Sequence, residues 1–235
     1  MSSLLYDEFQ QVGVNYDDIE KVKKYESEMC FRDFKAETMR IAKKIGLNSN
    51  HSVIEIGTGP GNFAVEIAKV CKHVYAVDIS KVMLQYASEK AKKENVENIE
   101  FINSGFLNYE HKGELVDAVV SDITLHHLPD FWKQVALMRV NTMLKKGGTL
   151  YLADQVYSFS PLLYKEKFKE WINFNWKRSN NVSFKKDVET SVKEEYSTFE
   201  WIMDGMLERA GFSFEKIKET EFFIVYICKK EYEVL

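Results

Sequence analysis

Val53-Ile54-Glu55-Ile56-Gly57-Thr58-Gly59-Pro60-Gly61-Asn62-Phe63 opens as an apolar run that reads as a buried strand, breaks into glycines at every second position, and resumes as a helix. Glycine leaves no Cβ between the backbone and a ligand, and the N–H groups that open a helix point at an anionic or polar group. The next strand-like run, Val74-Tyr75-Ala76-Val77-Asp78-Ile79, ends in an acid whose carboxylate can accept both hydroxyls of a ribose. A loop and an acid so placed predict a cofactor that carries a nucleoside. A dinucleotide fingerprint would need its third glycine where Asn62 stands; here that glycine is Gly61, which disfavours NAD.

Glu55, Gly57, Gly59 and Gly61 resemble motif I of the class I S-adenosylmethionine (SAM)-dependent methyltransferases. Further matches follow in order. Ile99 to Phe106 is similar to that family's third strand and adenine-side loop. Leu115 to Asp122 with Leu125-His126-His127-Leu128-Pro129-Asp130 resembles the fourth strand and loop of the ubiquinone- and menaquinone-biosynthesis type of small-molecule methyltransferase. Leu144 to Asp154 resembles the helix end, turn and fifth strand. The resemblance implies an α/β fold: a Rossmann-like, seven-stranded, mostly parallel sheet with helices on both faces, its last strand pair an antiparallel hairpin. Alternating strand-like and helix-like segments from Val53 onward point the same way.

The resemblance also implies roles. Glu55 and the loop Gly57, Thr58, Gly59 and Gly61 face the methionine end of SAM. Asp78 holds the ribose, Ile79 and Phe106 flank adenine, and Ser121 and Asp122 lie beside the methionine amine. One position departs from the family pattern: Ser104-Gly105-Phe106 stands where Gly-Asp is common, so the carboxylate that would accept from adenine N6 is missing. Backbone groups around Gly105 and Phe106 are expected to read adenine instead.

With 235 residues, the chain can bury one substantial α/β core. It reads as a single domain over 1–235, with N-terminal helices over 1–48 and a lid-like insertion over about 155–196. Asp17-Asp18 and Ser80 are expected helix caps, the latter for a helix with Met83, Leu84, Ala87 and Ala91 inward. Phe31 to Ile45 reads as a helix that stops at Gly46, and a helix from Asp130 with Val135, Met138 and Met143 inward stops at Gly147-Gly148, while Ser197-Thr198-Phe199-Glu200 reads as a capping box. The formal net charge of −4 argues against a general nucleic-acid or membrane-surface binder. Cys30, Cys71 and Cys228 show no metal-ligand spacing and leave an odd count, as in a reduced, cytoplasmic protein. No signal-peptide pattern opens the chain, and no apolar run approaches the ~20 residues that span a bilayer. No metal site is expected.

The insertion is aromatic, with Tyr157, Phe159, Tyr164, Phe168, Trp171, Phe174, Trp176 and Phe184. It is also locally basic, through Lys165, Lys167, Lys169, Lys177, Arg178, Lys185 and Lys186. An anionic acceptor recruited by Lys177 and Arg178 is one expectation, a solvated helix face the plainer one. Methyl transfer needs alignment first and a base only if the nucleophile must lose a proton. His126 is the candidate base or orienting group, with His127 second; Asp122, Asp154 and Tyr157 rank below them, and Tyr16 and Tyr25 could close the site. The sequence reading is a SAM-dependent methyltransferase acting on a small molecule, anionic or aromatic. RNA or protein as acceptor, and a non-catalytic SAM-binding partner, are the alternatives.

Overall fold

The computed structural model describes residues 4–179 and 182–234. Its centre is a sheet in the order β3-β2-β1-β4-β5-β8-β7, where β1 is Ser52–Ile56, β2 His73–Asp78, β3 Ile99–Asn103, β4 Val116–Asp122, β5 Leu144–Tyr157, β7 Phe212–Lys218 and β8 Phe223–Lys230. The strands from β3 to β5 run parallel, and β8 lies antiparallel to both β5 and β7. An eighth strand, β6, is the two-residue Thr198–Phe199, paired with the far end of β5. It adds to the seven expected and leaves their order intact.

Central strands buried on both faces need apolar side chains in succession, and β1 and β4 supply them. Ile54, Ile56, Val119, Leu150 and Leu152 pack on one face with α5 (Asp130–Met143) and α8 (Glu200–Arg209), through Leu137, Val140, Met203 and Leu207. Val53, Ala76, Ala118 and Val120 pack on the other with α2 (Phe34–Ile45) and α3 (Asn62–Ala68), through Ala42, Phe63, Ala64 and Ile67. Two further helices, α6 (Tyr164–Ser179) and α7 (Val182–Glu194), stand between β5 and β6.

Local signals explain most boundaries. Asp18 caps α1 (Ile19–Glu28) by accepting from the Glu20 amide, and Ser80 caps α4 (Lys81–Lys93) by accepting from the Met83 amide. Gly46 ends α2 at φ 75°. Three expectations are corrected. The helix over Phe31 to Ile45 starts at Phe34, because Asp33 takes the cap by accepting from the Ala36 amide. The α5 helix ends at Met143, and Gly147-Gly148 fall instead within β5, where the register against β4 shifts. The expected capping box does not form: Thr198 is drawn into β6, its hydroxyl donates to Asp130 Oδ2 at 3.1 Å, and no side chain caps α8.

The glycine loop closes tightly. Gly57 sits at φ 83°, and a Cβ there would lie 2.7 Å from Thr124 Cβ. Gly61 sits at φ 79°, with the Ala87 Cβ of α4 at 2.7 Å from the place its own would take. Gly57→Ala should therefore cost about 3 kcal/mol, combining backbone strain with overlap against a side-chain stem that cannot swing away. Urea unfolding reads this; an unchanged midpoint would contradict it.

The N-terminal helices dock on this frame through polar contacts. Lys90 of α4 binds Glu26 of α1 at 2.6 Å and also the Asn62 side-chain oxygen, and Asn62 donates to Glu26 at 3.1 Å. No described helix is long and apolar enough to cross a membrane.

Candidate active site

The strand order reverses on either side of β1, and open parallel sheets bind ligands outside the carboxyl ends of their strands at that point. A cavity of about 810 Å³ lies there, within the range of small-molecule sites. Its floor is made by the loops leaving the four strands: Gly57 and Gly59 after β1, Asp78 and Ile79 at β2, Ser104 to Phe106 after β3, and Asp122 to Thr124 after β4. Residues 6–32 cover it, with Tyr16 and Tyr25 in edge contact at 5.4 Å and the Tyr16 carbonyl accepting from Ser80 Oγ at 2.9 Å.

Asp78 accepts from the Gly59 amide through Oδ2 and from the Ser80 amide through Oδ1, each at 2.8 Å. A carboxylate oxygen has a second lone pair beyond the one such a bond uses. Burial raises the Asp78 pKa to about 6 against the opposing pull of the Ser80, Gly59 and Ile79 amides. Glu55, Thr58, Gly61 and Ser121 do not line the cavity. Glu55 shares Val53's buried face; it accepts from Thr58 Oγ1 at 2.5 Å and braces the loop from beneath, with burial holding its pKa well above the usual carboxylate range. Ser121 is fully buried.

Asp122 meets Arg32, whose guanidinium bridges to Asp122 Oδ2 at 2.8 Å and to Glu37 Oε2 at 2.7 Å. Burial raises the Asp122 pKa while Arg32 works against it. No motif announced Arg32, since it lies in a turn outside the sheet. After Asp122 comes Ile123 at φ 52°, a conformation that a β-branched side chain adopts only under constraint. Its amide is held by the Ala153 carbonyl at 2.8 Å.

His126 and His127 both line the cavity, their rings 4.3 Å apart. His126 is buried between two carboxylates, Nδ1 at 2.5 Å from Asp154 Oδ1 and Nε2 at 3.3 Å from Glu195 Oε2. Asp154 Oδ2 also accepts the His126 amide at 3.0 Å. Only an imidazolium donates from both nitrogens. Burial opposes that charge, but Asp154 and Glu195 outweigh it and raise the pKa to about 10. His127 is the opposite case, lowered to about 4 by burial and by the charge on His126; its Nδ1 has no partner among the described residues. The ligand atoms of His126, His127 and Glu195 lie within 4.8 Å of one another, a spacing a metal ion could bridge, but the His126 imidazolium already pairs with both carboxylates, through Nδ1–H to Asp154 and Nε2–H to Glu195.

The outer part of the cavity mixes an apolar wall with charged side chains. Tyr151 and Ala153 of β5 face the same side as Ile227, Val225 and Phe223 of β8, Trp171 and Phe174 of α6 also line the cavity, and Arg40, Lys44 and Glu219 stand among them. The basic character of the insertion is not turned inward: among the described residues, none of its lysines lines the cavity. Lys167 pairs with Glu170 and Glu221, and Lys177 is exposed. The side chains of Arg178 and Phe184 lie outside the described residues.

Residues 53–148 match the family described as a methyltransferase domain. Over 225 residues the chain is 26% identical to an uncharacterized methyltransferase of Geobacillus kaustophilus, covering 96% of each. Among solved structures it is similar to a SAM-dependent methyltransferase from Aquifex aeolicus, with TM-score 0.63 and 21% identity over 91% of this chain and 98% of that one. It is also similar to the N-methyltransferase NodS from Bradyrhizobium japonicum in complex with S-adenosyl-L-homocysteine (SAH), with TM-score 0.60 and 16% identity over 87% and 91%. The fold, the glycine loop with its strand-end acid and the family match together define an enzyme of the methyl-transferring kind. The chain is a SAM-dependent methyltransferase that carries a methyltransferase domain over residues 53–148, and its cofactor is SAM.

Proposed function

We propose that this enzyme methylates a small, largely apolar or aromatic molecule in the cytoplasm, working as one catalytic domain. The observation that carries this reading is the continuity of the cavity. It runs from the glycine loop to the apolar wall of Tyr151, Trp171, Phe174 and Phe223, and a wall of that kind suits a flat apolar acceptor. The segment 155–196 acts as a lid, one edge packed through Trp171 on Phe222 at 4.7 Å, the other facing the acceptor. The anionic-acceptor alternative rested on Lys177 and Arg178: Lys177 does not line the cavity, the Arg178 side chain lies outside the described residues, and the cations at the cavity are Arg32, Arg40 and Lys44 instead.

The cofactor supplies a methyl carbon already activated by the adjoining sulfonium, so the acceptor's lone pair forms the new bond as the carbon–sulfur pair returns to sulfur. The chain's task is alignment. Gly57 and Gly59 admit the methionine end to the backbone, and Asp122, fixed by Arg32, accepts from the amine. Asp78 accepts both ribose hydroxyls through its free lone pairs. Ile79 and Phe106 give adenine its apolar contact. Glu55, Thr58 and Gly61 act from beneath, by holding the loop's shape, and Ser121 by filling the space under it. His126, with both nitrogens committed, fixes the loop that carries His127. His127, neutral near pH 7 and lining the cavity, orients the acceptor.

Transfer of isotopically labelled methyl from SAM into separated small-molecule, RNA and protein fractions of a cell extract tests the reading. Label in the small-molecule fraction, lost with Asp78→Ala, is the expected result. Label in RNA or protein would overturn the small-molecule assignment. Phe174, 52% exposed and on the cavity wall, allows a sharper check once the acceptor is known. Phe174→Ala should raise the acceptor KM about 10-fold, the worth of one aromatic contact, while SAH affinity stays unchanged. Equal losses for both ligands would contradict this division of the cavity.

A further inference from the structure

Glu8 is far from the glycine loop in sequence and belongs to no motif, yet it is buried, only 7% exposed, and lines the cavity. Its Oε1 accepts three hydrogen bonds from the turn after β3: the Leu107 and Asn108 amides, each at 2.9 Å, and Asn108 Nδ2 at 2.8 Å. Those bonds fix the carboxylate's position. A Cβ built on Gly105 would lie 2.5 Å from Glu8 Cδ and 2.9 Å from Oε1, with Oε2 closer still. A carboxyl group thus occupies the space that an acid at position 105 would fill with its own. The acid missing after β3 is present in space, delivered from the N-terminal segment, and Gly105 is the residue that leaves room for it.

We propose that Glu8 reads the 6-amino group of the adenine base and makes the site select 6-aminopurine over 6-oxopurine nucleosides. This rests on the cofactor placement given above, with the ribose on Asp78 and the base against Ile79 and Phe106. From there the outer edge of the base meets the 104–106 loop and the carboxylate beside it. Oε1 is committed to the turn, and Oε2 has no hydrogen-bond partner among the described residues. An ionised carboxylate only accepts. It suits an exocyclic amine, which only donates, and faces the oxygen of an oxopurine lone pair to lone pair. A buried polar group that must pair with its ligand discriminates strongly against the analogue that cannot.

The test is isothermal titration of the full chain with SAH and with S-inosylhomocysteine, which differ in the purine 6-substituent and, with it, in the hydrogen on N1. The native chain should bind SAH about 100-fold more tightly, as expected when a charged acceptor loses its donor. Glu8→Gln retains an acceptor for the turn and offers an amide N–H to the oxo group, so the preference should fall to about 5-fold or less. Glu8→Ala removes the carboxylate and frees the space beside Gly105. The double variant Glu8→Ala/Gly105→Asp should regain the SAH preference that Glu8→Ala alone loses, an outcome that bracing of the turn by Glu8 would not produce. A Glu8→Gln chain that keeps the full preference, or a double variant that stays indiscriminate, overturns the assignment. A native chain that bound neither ligand would overturn the cofactor placement itself and the assignment with it.

Discussion

His126→Ala should lower the melting temperature by about 10 °C. The substitution leaves Asp154 and Glu195 buried face to face without the cation between them, and stranding charge in this way costs about 3–5 kcal/mol, each worth about 2–4 °C in a chain of this length. Adding Glu195→Gln to that variant should recover part of the loss, since it removes one of the two stranded charges. The pH dependence has a definite sign. The folded pKa of about 10 lies above the unfolded value of about 6.5, so between them the folded chain holds a proton that the unfolded chain has released. The stabilisation is fully present below about 6.5 and is lost as pH rises through about 10. Thermal melts of the native chain should decline across that window, and those of His126→Gln should be flatter. A kcat profile with a limb near neutral pH that disappears with His126 would instead make His126 a base.

Asp78→Ala should weaken SAH binding about 100-fold, because two ribose hydroxyls lose a charged acceptor. Asp78→Asn, which retains one acceptor oxygen, should lose about 10-fold. With its pKa raised to about 6 by burial, Asp78 is ionised at pH 8 and largely protonated at pH 5. Protonation removes one of the acceptor positions, so native affinity should fall as pH drops through about 6, and the Asn variant should not follow it. Titrations at pH 5, 6, 7 and 8 decide the matter; parallel profiles for the two proteins would place the ribose elsewhere.

What the sequence made legible was what neighbouring residues determine. The strand–glycine–helix passage from Val53 to Phe63, the Ser80 cap and the buried Met83, Leu84, Ala87 and Ala91 of α4 all stand as local periodicity implied. The last helix misled because the stretch after Ser197 has two uses: as the first turn of a helix it would be capped by the Ser197 hydroxyl, but Thr198 and Phe199 pair with Val156 and Tyr157 of β5, and the helix starts only at Glu200. On α5 Met143 is buried as expected, but Val135 and Met138 are only partly buried, while Ala136, Leu137 and Val140 take the centre, because the packing against the sheet sets the face of contact and no single-helix pattern encodes it. Glu8, Arg32 and the carboxylates around His126 were beyond reach for a different reason. Each gains its meaning from a partner far along the chain: Glu8 from Asn108, Arg32 from Asp122, His126 from Asp154 and Glu195. Asp154 was noticed only for its place at a strand end.

The roof over the cavity is stitched to the parts that hold the cofactor: Glu8 to the turn after β3, Tyr16 to Ser80, Arg32 to Asp122. Where a ligand's way in or out passes beneath these contacts, the free energy of opening them is subtracted from the affinity for incoming SAM and added to the barrier for departing SAH. Their strength is then a means of adjusting the tempo of the enzyme. A looser roof would give faster turnover and weaker retention, and a tighter one a slower enzyme that saturates at lower concentrations.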